Sequence, residues 1–203
     1  MIRLITLIIF ANLIFSQYVL GKGLYLSVNG AYNFTNISET EIETDLTQRF
    51  SGSGLAYDLG LVFKFDRRNF LSIEFGQRKL DITHRSSLLA DSSRIAISSI
   101  EQKMQYNTFQ IQYLKKFEQN PLFIGGGGGA RFPANFSSSD YIQGILEQSY
   151  GLGTIGLEFA ADRFSLVSYI SYAFPLSKLK KNSAFEDQMG ELFLGLKLWI
   201  KLF

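Results

Sequence analysis

The last stretch of the chain, Glu191 to Phe203, reads ELFLGLKLWIKLF and decides the fold. Successive side chains of an extended strand point to opposite sides, so Leu192, Leu194, Leu196, Leu198, Ile200 and Leu202 share one face. Glu191, Phe193, Gly195, Lys197, Trp199 and Lys201 share the other. Six branched aliphatics in strict alternation need a wide apolar surface to face. In a soluble sandwich that surface is a second sheet; in a membrane barrel it is lipid, and the charged face then lines a lumen.

The same alternation recurs upstream. Leu24, Leu26, Val28, Tyr32 and Phe34 alternate with Tyr25, Ser27, Asn29 and Asn33, and Tyr57, Leu59, Leu61, Phe63 and Phe65 with Asp58, Gly60 and Lys64. Leu71, Ile73 and Phe75 define a third strand, and Phe109, Ile111 and Tyr113 a fourth. Leu122 to Phe132 is a glycine-rich fifth, Gly151 to Ala161 a sixth, Phe164 to Phe174 a seventh, and the C-terminal strand an eighth. The connections alternate too. Asp66 to Asn69, Glu118 to Pro121 and Ala161 to Arg163 are tight turns. Thr35 to Ser53, Thr83 to Lys103, Asn135 to Ser149 and Ser177 to Met189 are polar loops of roughly 13 to 21 residues. The fold expected is therefore all-β, a closed eight-stranded antiparallel up-and-down transmembrane β-barrel. An even strand count puts both termini in the periplasm and the long loops on the cell surface. Closure is required because an open sheet edge in lipid leaves backbone N–H and C=O groups unpaired.

Composition agrees with this and narrows the function. Charged residues make up only 19% of the 203, aromatics reach 15%, and cysteine is absent, which excludes disulfides, thiolate metal sites and a lipidated N-terminal cysteine. No basic cluster suggests nucleic acid. Arg3 followed by the apolar run Leu4 to Phe15 reads as a signal peptide at residues 1–21, cleaved after Ser16 or after Gly21, because that run falls short of the about 20 apolar residues a spanning helix needs. Residues 22–203 then form the barrel, an integral protein of the bacterial outer membrane.

Residues 109–117 (FQIQYLKKF), a short turn, and residues 122–130 (LFIGGGGGA) resemble the strand, turn and glycine-rich strand of small eight-stranded outer-membrane barrels. These are the OmpA/OmpX type and, more particularly, the outer-membrane β-barrel domain proteins common in Bacteroidota. Gly195, Leu198, Ile200 and the terminal Phe203 look like the C-terminal signal read by the barrel assembly machinery, with Lys201 departing from the apolar residue that pattern wants. The resemblance implies no single activity, since members include adhesins, structural proteins and secretion accessories. It implies outer-membrane lipids and, during insertion, the assembly machinery as partners.

The inward faces carry Asp58, Glu74, Glu158 and Glu191 against Lys64, Arg78, Arg131 and Lys197. An eight-stranded barrel has a lumen only wide enough to be filled by side chains, so near-balanced charge there reads as an ion-paired plug rather than a pore. Counted from the short turns, Asp58 and Arg78 sit at similar heights on neighbouring strands and are expected to pair. The five glycines Gly125 to Gly129 lack the lysine of a phosphate-binding loop; their expected role is steric, giving room to luminal side chains from across the barrel such as Arg78 or Trp199. The sole histidine, His84, lies two residues from Ser86, a spacing found in some outer-membrane lipid hydrolases. There the pair belongs to late strands and has an acidic partner, so a lipid-A-modifying enzyme is the reading these residues argue against. No catalytic residue, metal site or cofactor is expected.

Ile95, Ile97 and Ile100 lie among serines just before the fourth strand. Two readings stand: the third and fourth strands continue upward as a hairpin with exposed edges able to bind a partner strand, or the segment is an ordered loop with a small apolar cluster. The leading functional reading is a non-enzymatic envelope scaffold whose surface loops serve adhesion or an extracellular or envelope protein partner. A small-solute channel and a secretion or assembly accessory are the alternatives.

Overall fold

Eight runs of alternating residues become eight strands of a single closed sheet in the computed structural model, which describes residues 23–40, 46–90, 93–117, 120–134, 149–176 and 188–202. The expected signal peptide, both of its cleavage sites and the terminal Phe203 lie outside the described residues. The strands are β1 (Leu24–Thr40), β2 (Leu46–Lys64), β3 (Asn69–Ala90), β4 (Ser93–Lys116), β5 (Leu122–Pro133), β6 (Ser149–Ala160), β7 (Phe164–Pro175) and β8 (Gln188–Lys201). Each is antiparallel to the next, and β8 pairs with β1 from Tyr25↔Lys201 to Ser38↔Gln188, which closes the barrel. The start of β1 and the end of β8 therefore lie at the same end as the three short turns.

Outside, the wall is apolar in a band with aromatic edges. Phe117, Phe159 and Phe164 are exposed toward the turn end, and Tyr32, Phe34, Tyr57, Phe132, Tyr172 and Phe174 toward the other. Between them the exposed positions are mostly aliphatic, among them Leu59, Leu61, Ile155, Leu166, Ile170 and Leu196, with Phe75 opposite Leu59 an aromatic exception. The ten residue steps from Phe164 to Phe174, at about 3.3 Å each and tilted by roughly 40°, cover about 25 Å along the barrel axis. That is the height of the apolar band of outer-membrane barrels, which carries aromatic girdles at both interfaces. An exterior of this kind in water would be one continuous aggregation surface.

The strands outrun the lipid-facing pattern on one side of the barrel. β1 to β4 contain 17, 19, 22 and 24 residues, whereas β5, β6 and β7 contain 12 each and β8 contains 14. The segments 35–53 and 83–103, expected as polar loops, are thus mostly strand: β1 and β2 stay paired to Thr40↔Thr47, and β3 and β4 to Ala90↔Ser93. Their alternation is less regular than that of the band, yet the backbone ladder continues through them. Through the Ile95 region β3 and β4 run on as a paired hairpin. Ile95 stands opposite Leu88 and Ile100 opposite His84, and a bulge at Ser86/Ser87 leaves Ile97 as the unpaired extra residue. β5 pairs with β4 only up to Tyr106↔Pro133, so among the described residues the edge of β4 above Gln105 has no strand beside it. At the top of β8, Gln188 and Met189, expected in the last loop, are also strand.

Candidate functional site

Alternation sends every second residue inward, and the lumen receives the eight charged residues singled out from the sequence. Asp58, Glu74, Arg78, Arg131, Glu158, Glu191 and Lys197 are all buried, and Lys64 is partly so at the turn end. They form four clusters stacked along the interior.

In the first cluster Arg78 Nη1 lies 2.7 Å from Asp58 Oδ1, Asn29 Nδ2 donates to Asp58 Oδ2, and Tyr169 Oη donates to Asn29 Oδ1 at 2.9 Å. Asp58 stands opposite Gly76, and a Cβ at that glycine would fall on the Asp58 carboxylate and against the Arg78 guanidinium. Glycine at 76 is what lets the diagonal pair cross the strand boundary. In the second, Glu74 accepts from Lys197 Nζ at both oxygens (2.9 and 2.7 Å), from Ser27 Oγ at 2.9 Å and from Gln110 Nε2 at 2.7 Å. In the third, Glu191 accepts from Arg131 Nε at 2.8 Å, Asn33 Nδ2 at 2.7 Å and the Tyr106 hydroxyl. In the fourth, at the turn end, Glu158 accepts from Lys116 Nζ at 2.8 Å and Ser165 Oγ at 3.0 Å, with Lys64 Nζ 3.5 Å away.

A second pattern runs through these clusters. Arg78 lies over the Phe193 ring at 5.1 Å, Arg131 over Tyr150 at 4.7 Å, Lys197 over Tyr169 at 4.8 Å and Lys64 over Phe70 at 4.7 Å. Each of these four cations is thus held between a carboxylate and an aromatic face, so its desolvation is offset from two sides. Toward the turn end Val62, Phe70, Leu114, Phe123, Val167 and Trp199 add an apolar filling, with the Phe70 and Trp199 rings 5.5 Å apart. Charged clusters and apolar side chains thus succeed one another along the described interior.

Sequence reasoning missed Lys116, Tyr106 and the polar ligands Ser27, Asn29, Asn33 and Gln110. Lys116 shares the phase of Gln110, Gln112 and Leu114, and it lies within the strand 109–117 read from the sequence without being counted among the inward charges. The role given to the glycine run changes as well. The side chains nearest to a Cβ at Gly125 and Gly129 are Leu114 and Tyr150 of the adjacent strands, not Arg78 or Trp199 from across the barrel. At the C-terminus Gly195 faces inward while Leu198 and Ile200 are exposed on the wall. His84 and Ser86 occupy register positions in the projecting part of β3, opposite Phe50 and Gln48 of β2.

Among solved structures, the chain is similar to that of the outer membrane protein OprG from Pseudomonas aeruginosa, with a TM-score of 0.51 and 12% identity over 88% of this chain and 96% of that one. It has the fold of a small outer-membrane barrel. Ail, the attachment invasion locus protein of Yersinia pestis, solved with the heparin analogue sucrose octasulfate, is matched at a TM-score of 0.40 and 16% identity over 88% of this chain and 99% of that one. The outer membrane protease OmpT from Escherichia coli is matched at 0.43 and 6% identity over 89% and 97%. No protein-family model and no curated protein sequence matches the chain. Likeness at these identities concerns the fold alone.

Proposed function

We propose that this chain is an integral protein of the bacterial outer membrane, of the OmpA/OmpX type and more particularly of the outer-membrane β-barrel domain proteins common in Bacteroidota, and that it works as a non-enzymatic scaffold rather than a conduit. The observation that carries this reading is the filled lumen: four carboxylates, each engaged by a cation and by further donors, stacked along the barrel. Moving ions or solutes through it would mean separating buried pairs, which costs about 3–5 kcal/mol for each partner left alone. The apolar band supports the membrane location, and with the turn end facing the periplasm both termini lie there.

The working surface in this reading is the projecting β3–β4 hairpin. Its outer β4 edge, residues 93–104, offers backbone donors and acceptors to an extended segment of an extracellular or envelope protein, by strand addition. Reconstitution in planar bilayers tests the scaffold: a closed trace over long recordings is expected, and sustained stepwise conductance would establish the channel instead. Deleting residues 84–100 is expected to abolish capture of the partner by cells while the barrel still inserts. Undiminished capture would remove the hairpin from the function.

A further inference from the structure

The projecting edge of β4 carries a pattern that strand addition by itself does not require. Residues 94–101 read RIAISSIE, with Arg94 and Ile95 at one end and Ile100 and Glu101 at the other. Laid antiparallel to a second copy of itself, the segment sets Arg94 opposite Glu101, Ile95 opposite Ile100, Ala96 opposite Ser99 and Ile97 opposite Ser98. Two-fold symmetry makes each of these pairs occur twice. Opposite charges and β-branched pairs are what stabilise an antiparallel ladder from strand to strand. Among the described residues no strand lies beside β4 above Gln105, so the segment has its other edge to offer.

The bulge in β4 makes this register possible. Residues directly opposite in an antiparallel pair lie on the same face of the sheet. Positions 94 and 101 are seven apart, so on a regular strand they would fall on opposite faces and could not be set against each other. The extra residue Ile97 shifts the phase by one. Arg94 stands opposite Leu89 and Glu101 opposite Thr83, positions six apart on β3 and therefore on one face. Ile95 and Ile100 stand opposite Leu88 and His84, four apart, on the other. An edge bulge ordinarily discourages foreign strands. Here it disfavours a regular strand and admits one with the same bulge.

We infer that residues 94–101 of β4 pair antiparallel with the same residues of a second copy of this chain, and that the second copy stands in a facing membrane. The two-fold axis of such a pair is perpendicular to the sheet. The sheet is a barrel wall that rises out of the membrane, so the axis lies in the membrane plane and turns the partner upside down. Two barrels side by side in one membrane are related by an axis along its normal, which leaves their β4 edges descending in the same sense. The contact is isologous and closes at two copies. This inference rests on the strand-addition reading of the β4 edge and names its partner.

The test uses the full chain twice, in maltoside micelles, where sedimentation reads dimerisation, and in phosphatidylcholine vesicles, where light scattering reads clustering. Heat-shifted electrophoretic mobility verifies that every variant folds. The wild type is expected to dimerise and its vesicles to cluster, both less as salt rises. Arg94→Glu brings like charges together at both ends of the pair, and Glu101→Arg does so with the opposite sign. Either variant alone should associate roughly tenfold more weakly. Mixing the two variants restores opposite charges at both ends and should restore association, as should the double variant by itself. A monomeric wild type, single variants that associate like the wild type, or a mixture that fails to recover overturns the self-pairing. A dimer in micelles whose vesicles do not cluster overturns the facing-membrane placement. Capture of a foreign partner by cells, read with the 84–100 deletion, decides the edge reading separately: capture that persists without self-association removes this inference and leaves that reading standing.

Discussion

The two halves of β4 share one ladder with β3 and differ in their other neighbour. From Tyr106 to Lys116 the strand has β3 on one side and β5 on the other, buries Tyr106, Thr108, Gln110, Gln112 and Leu114, and exposes Ile111 and Tyr113. From Ser93 to Gln105 it keeps β3 and passes beyond the ladder with β5. The ladder with β3 thus continues past the end of the ladder with β5, and the charged luminal clusters lie at or below that point. Stability should accordingly be concentrated in the lower half and recognition in the upper.

The largest effect expected from that division comes from Arg131→Ala. It leaves Glu191 buried without its cation and should cost about 3–5 kcal/mol of barrel stability. Trp199 is the only tryptophan and is buried, so its emission during urea unfolding reads the change directly. Replacing the pair together, Arg131→Met with Glu191→Leu, should recover most of the loss; failure to recover would mean that Glu191 matters chiefly through Tyr106 and Asn33. A smaller loss, about 1–3 kcal/mol, is expected for Gly76→Val, because the added atoms meet the Asp58–Arg78 pair. If that variant unfolds with the wild type, the luminal packing is looser than the contacts imply. The smallest effect should come from removing residues 84–100, which shortens the projecting hairpin and the facing end of the β2 ladder and is expected to shift stability by under about 0.5 kcal/mol. A large loss there would erase the distinction between the two halves of β4.

What the sequence could reveal follows the same division. The inward phase of Glu191 and Lys197 is readable because Leu192, Leu194, Leu196 and Leu198 mark the opposite face without interruption. Asp58 and Arg78 can be set at matching heights because the turn between β2 and β3 is short enough to count across. The upper parts of β1 to β4 were not legible as strands because residues 35–53 and 83–103 scatter a few apolar residues, such as Phe50, Leu88 and Ile95, among polar ones without a sustained alternation. Pairing with the next strand carries them on as ladder. The aromatic ring behind Arg78 escaped for another reason. Phe193 of β8 reaches Arg78 of β3 from strands that do not pair, and which strands face each other across a lumen is a property of closure that no local pattern carries.

That closure has a consequence for the order of events during folding. The Asp58 cluster takes Asn29 from β1 and Tyr169 from β7; the Glu74 cluster takes Ser27 from β1 and Lys197 from β8; the Glu191 cluster takes Asn33 from β1 and Glu191 itself from β8. All three straddle the seam between the first strands and the last, with partners up to 158 positions apart along the chain. An unsealed sheet would hold these carboxylates and cations with their sets incomplete, a costly intermediate that the chain has no incentive to populate. Meeting of the first and last strands should then complete all three at once, so that the barrel locks in one late, cooperative step.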